Sequence, residues 1–225
     1  MYINKATLIT KQLNEMQKFY SELLGFQLIS SSNTSFEVQI GTSILMFYES
    51  MEETQYHFAF NIPSNQFKEA KQWVQKKVDL LKEDGEDEVY FERSHAHSVY
   101  FLDPCENVVE LIAHHEVSPP SYKVPFSANM ILNISEMNVT TDDVLSVCET
   151  LKQLGMPVRH NHQIDKNSLN FIGEHQDGTF LLVGPSERTW YFSAKKAVVS
   201  PITLELSNHL KLILDRNGQL TVEKI

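Results

Sequence analysis

Cysteine is scarce: Cys105 and Cys148 are the only two in 225 residues, and they lie in separate segments at no metal-type spacing. That argues against a disulfide framework or a cysteine-held zinc site and predicts two free thiols in a reducing compartment. The eight glycines are scattered. No G-x-G-x-x-G, G-x-S-x-G or H-E-x-x-H pattern occurs, so phosphate loops, the nucleophile elbow and the zinc-protease helix have no support. Positive charge is also in short supply, with 19 Lys and Arg against 29 Asp and Glu and a net charge of −10 spread along the chain. Nucleic acid and anionic membrane both need basic patches, so neither is expected as a partner. No run approaches the ~20 apolar residues of a membrane span, and "MYINKATLIT" has no signal-peptide core, so a cytoplasmic location is expected. Apolar residues, at 42%, are plentiful enough for a folded chain with a substantial core.

A β-α-β-β-β order recurs. In residues 1–52 the strand "INKATLIT" precedes a helix in "NEMQKFYSELLGF", with Met16, Phe19, Leu23 and Leu24 on one face and Gly25 as its stop. "QLISSS", "SFEVQIG" and "SILMFYE" follow as strands. Residues 53–115 repeat the unit: "YHFAFNIP", a helix with Ser64 or Asn65 as its N-cap and Phe67, Ala70, Trp73 and Val74 inward, then "VYFERSHAHSVYFLD" and "NVVELIAHH". Residues 116–128 carry three prolines and read as a linker. Residues 129–225 hold a third, diverged copy: "MILNISEMNV", a helix started by Thr141, Asp142 and Asp143 and stopped by Gly155, and strands at "PVRHNHQ", "LNFIGEHQ" and "GTFLLVG". "RTWYFS" extends it, and further strands with a "RNGQ" hairpin turn complete the chain. The expected class is α+β, built from repeated βαβββ modules, two of which, 1–52 and 53–115, pair into a curled sheet with a cleft.

One residue breaks the apolar pattern. Glu110 stands among Val108, Val109, Leu111 and Ile112, where burial is costly unless something pairs with it. Together "FYSELLGF" at 19–26, "HFAFNIP" at 57–63 and "SVYFLDPCENVVELI" at 98–112 resemble the vicinal-oxygen-chelate superfamily, which includes glyoxalase I, bleomycin- and fosfomycin-resistance proteins and extradiol dioxygenases. The resemblance implies a divalent metal in the cleft, Ni, Mn, Fe or Zn, held by residues on the first and last strands of each module. His57 and Glu110 match these positions in the second module. In the first they fall at Lys5 and Met46. An ammonium has no lone pair to give, and a thioether suits soft ions.

Two readings of the cleft follow. Either His57 and Glu110 hold a metal with further ligands from elsewhere, or Lys5 takes the metal's place and neutralises Glu110. The second is the favoured one. Strand parity puts Ser98 and Tyr100 on the cleft face with Ala96, as candidate ligand contacts, and sends His95 and His97 the other way. The histidines at 160–162 and His114–His115 read as strand-end residues without a matching carboxylate, and Trp190 and Tyr191 as packing or cleft residues. The function expected is a glyoxalase- or bleomycin-resistance-like protein with a degenerate metal site, binding a small molecule between modules. The alternative is a metal-dependent lyase, dioxygenase or thiol transferase using His57 and Glu110, with Glu110 and Tyr100 as catalytic groups. An odd module count suggests a homodimer.

Overall fold

The computed structural model describes residues 1–225. The first module has strands β1 (Ile3–Thr10), β2 (Gln27–Ser31), β3 (Ser35–Ile40) and β4 (Ser43–Glu49), with helix α1 (Leu13–Gln17) between β1 and β2. A π-helical turn over Lys18–Leu23 extends α1, and the Leu24 N–H reaches back five residues to the Phe19 carbonyl. That extra residue rotates the apolar face: Tyr20 is buried and Leu23, expected inside, is exposed.

The second module contains β5 (His57–Asn61), α2 (Phe67–Val74), β6 (Val89–Phe91), β7 (Ala96–Leu102) and β8 (Val108–His114). Neither Ser64 nor Asn65 caps α2, which begins after Gln66. Asn65 instead exchanges two hydrogen bonds with the backbone of Ser121 and ties down the linker. Between β6 and β7 the chain makes a short helical turn at Glu92–Ser94, with His95 at φ +44°. In the tight turn before β8, the Asp103 carboxylate accepts from the Cys105 and Asn107 backbones, the Asn107 amide and the Tyr20 hydroxyl.

The third module is shorter, with β9 (Asn133–Thr140), α3 (Val144–Gln153), β10 (Asn170–Ile172) and β11 (Phe180–Gly184). The strand expected at 157–163 does not form, because His160 and Asn161 both take positive φ and turn the chain through a short helical loop. "RTWYFS" is likewise a turn, with Phe192 at φ +56°. Strands β12 (Ile202–Leu206), β13 (Leu210–Leu214) and β14 (Leu220–Lys224) close the chain, the last two joined through the expected "RNGQ" turn.

The pairing of modules differs from expectation. One sheet runs β14-β13-β12-β1-β4-β3-β2 and the other β10-β11-β9-β5-β8-β7-β6. Modules one and two therefore sit in different sheets. Module two joins module three through antiparallel β5 and β9, while module one joins the terminal strands through β1 and β12. The odd module behind the homodimer expectation thus has its partner strands within the chain. Alternation sends Phe58, Phe60, Val109, Leu111, Val99 and Phe101 into one core with Ala6 and Leu8 of the other sheet and Tyr20 and Phe26 from the helix and loop of module one. Where the sheets meet, Gly41 (φ +57°) lies so close to the Leu132 backbone that a Cβ would be 2.0 Å from its carbonyl oxygen. No helix is long and apolar enough to cross a membrane.

Candidate functional site

On the face of the second sheet away from that core, three ionisable side chains converge. Ala59 of β5 is in register with Glu110 of parallel β8 on one side and Glu136 of antiparallel β9 on the other. His57, two residues earlier on β5, shares their face. The pairing of β5 with β9 slips between Ala59 and Phe60, which are opposite Glu136 and Ile134. This bulge leaves Ile134 and Met137 in the core while aiming Glu136 at the other two ligands. One ligand atom from each of His57, Glu110 and Glu136 lies within 4.8 Å of the others, and all three residues are buried.

The second carboxylate is the residue that sequence reasoning missed. Its signal was the one used for Glu110, an acid inside the apolar run "NISEMNV". The residues expected from module one are elsewhere. Lys5 lies in the first sheet and pairs with Glu37 at 2.5 Å, so it does not neutralise Glu110. Met46 is buried on β4 in register with Glu37, also remote from this cluster. The physical reason is the module pairing: module three, not module one, lies beside β5.

These three side chains line a cavity of about 640 Å³. Tyr100, in register with Glu110, lines it; Ser98 is buried on the same strand face but is not part of its lining. His97 faces the helix side as parity predicts, its ring 4.9 Å from Phe67 of α2. Trp190 and Tyr191 both line the cavity, and the Trp190 ring centre is 4.6 Å from that of His57. The two irregular loops of module three supply cations: Arg159 stacks over Phe171 and Arg188 over Trp190, each at 4.0 Å. Arg188 Nε and Nη2 and Trp190 Nε1 are buried without a hydrogen-bond partner. Burial, then the adjacent charge of Glu110, pushes the Glu136 carboxyl well above the usual glutamate range, against the pull of Arg159. Burial, followed by Glu110 and Glu136, likewise raises the Tyr100 hydroxyl.

Two full-length likenesses place the architecture. A candidate dioxygenase from Bacillus subtilis superposes on 99% of this chain and 84% of its own, with TM-score 0.63 and 12% identity. A single-residue variant of glyoxalase I from Zea mays matches 98% of this chain and 91% of its own, with TM-score 0.58 and 13% identity. The chain has the vicinal-oxygen-chelate fold. The family model for toxoflavin-degrading enzymes matches residues 134–188, from β9 to Arg188. No curated protein matches the chain in sequence.

A vicinal-oxygen-chelate cleft implies a divalent metal, and the residues present fit one. The His57 Nδ1–H donates to the Val108 carbonyl at 3.0 Å, which leaves Nε2 as the ring nitrogen facing Glu110. Nε2 and Glu110 Oε2 are 3.4 Å apart, longer than a hydrogen bond and close to the ~3.3 Å that separates neighbouring ligand atoms around an ion bound at ~2.0–2.1 Å. Glu110 Oε1 is buried with no partner at all. An imidazole with two carboxylates suits Mn, Fe, Ni or Zn, and a cation between the two buried acids would relieve their repulsion. The equivalent position on β11 is Leu182, which lines the cavity and offers no ligand atom.

Proposed function

We propose that this chain is a metal-dependent enzyme that transforms a small, planar, ring-bearing molecule in the cleft between modules two and three. The observation that carries the reading is the convergence of His57, Glu110 and Glu136 in the lining of a cavity large enough for such a molecule. A bound divalent cation would supply Lewis acidity and hold a chelating substrate. Arg188 and Trp190 present unpartnered donors to the substrate, and Arg159 adds a second guanidinium. Their stacking on aromatic rings favours flat, acceptor-rich ligands over flexible ones. Tyr100, kept protonated by its surroundings, is a proton donor to an oxygen or nitrogen that gains charge during reaction. Among lyase, dioxygenase and thiol-transferase chemistries the residues make no choice.

Toxoflavin is the first compound to test, because the matched family model covers Glu136, Arg159 and Arg188. Purified protein loaded in turn with Mn, Fe(II), Ni or Zn is incubated with toxoflavin, and its loss is followed by liquid chromatography. Metal-dependent loss that disappears in Glu136→Gln supports the reading. Tight binding without turnover under every metal would replace it with sequestration, the function that the same donors would also serve.

A further inference from the structure

Seven of the nine histidines, all but His57 and His209, belong to the turns and strand ends at one end of the second sheet. Glu116 lies between two of them, His95 and His175. We propose that His95, Glu116 and His175 form a second cation site there, taking one divalent ion of the zinc or nickel class. His95 Nδ1 is 3.5 Å from Glu116 Oε1, and His175 Nε2 is 3.9 Å from Oε2. Both gaps are too long for hydrogen bonds, and the shorter is near the ~3.3 Å between ligand atoms on a tetrahedral ion. Each oxygen of one carboxylate thus has its own imidazole. The three ligand atoms do not all lie within 4.8 Å of one another, so the ion has to draw them together, and His95 and Glu116, about half exposed, can rotate to close the gaps. The His160 ring centre is 4.9 Å from that of His175, which puts a further imidazole beside the site. Two or three imidazoles with one carboxylate select borderline ions over Mg or Ca.

This site shares no residue with the buried one and does not depend on the function proposed above. His95 follows Ser94, a cavity-lining residue, so the ion ties the turn before β7 in module two to the His175 loop of module three beside the cavity. The test is equilibrium dialysis of the full chain against Zn. A His57→Ala/Glu110→Gln variant is expected to keep one equivalent and to lose it when Glu116→Gln and His175→Ala are added. Absence of zinc from the first variant, or zinc untouched by the added changes, would overturn the proposal. Should the first variant fail to fold, the wild type is compared with Glu116→Gln/His175→Ala alone, both checked by circular dichroism. One equivalent fewer in the variant supports the second site, and equal stoichiometry refutes it.

Discussion

Replacing Glu136 with glutamine should make the metal-free protein more stable and the metal-loaded protein less so. Ligand atoms of Glu110 and Glu136 lie within 4.8 Å of each other in a buried setting. With both ionised and an effective dielectric constant near 20, their repulsion is about 3 kcal/mol. The native chain escapes part of this by retaining a proton on Glu136, whose carboxyl is raised by burial and by Glu110. An acid raised in the folded state supports folding fully below its ordinary value near ~4.3 and loses that support as pH climbs through the raised one. Glu136→Gln removes the loss, and its amide can donate to the orphaned Glu110 Oε1. In chelator at pH 8 the variant should gain about 1–3 kcal/mol, or ~3–10 °C in melting temperature for a chain of this length. At pH 5 the two proteins should converge. In saturating Mn the order should reverse, because only the native chain has the full ligand set. Differential scanning calorimetry at the two pH values, with and without metal, reads all of this. A variant that melts at or below wild type in chelator at pH 8 would refute the claim that the two acids strain the empty centre.

Lys5→Met should leave metal affinity unchanged and cost less than about 1 kcal/mol, since Lys5 and its partner Glu37 both lie in the first sheet, apart from the His57 cluster, and the pair is partly exposed; calorimetric titration with Mn and urea melts test both. Asp103→Ala strips the β7–β8 turn of an acceptor for four donors and should destabilise by about 3 kcal/mol, read from urea midpoints at constant m-value. Burial holds Asp103 up to about 6 despite those donors, so this residue's contribution is full below ~4 and declines as pH rises to 6; the deficit of Asp103→Ala should be larger at pH 5 than at pH 7. Arg188→Ala should weaken the binding of a turned-over substrate at least about tenfold while metal content stays the same, and lysine should not restore it, because the planar group stacked on Trp190 is lost.

Much of this was legible from local pattern. Alternation placed Tyr100 on the cavity face and His97 on the helix face, and an acid in an apolar run marked Glu110. Glu136 carried the same mark. The order of the modules was not legible, for a physical reason. β1, β5 and β9 are all first strands with one face turned into the core, and any two can pair edge to edge without violating that pattern. What joins β5 to β9 is long-range packing, including the bulge that turns Glu136 inward, and no local period encodes it. The loops that deliver Arg159 and Trp190 hid behind strand-like composition, because the positive φ at His160, Asn161 and Phe192 is imposed by tertiary contacts on residues that seldom adopt it.

The two sheets also differ in when they can be completed. β5 and β9, which carry His57 and Glu136, belong to neighbouring modules and emerge from the ribosome in succession. β1 must wait: Ile3 finds its register partner only in Leu206, some 200 residues later. At ~5–20 residues per second, that leaves the N-terminal strand with one open edge for about 10–40 s of synthesis. An open strand edge is a template for pairing with another nascent chain. The half with the His57–Glu110–Glu136 cluster can therefore assemble co-translationally, while the other half closes last and is the part of the molecule most in need of a chaperone.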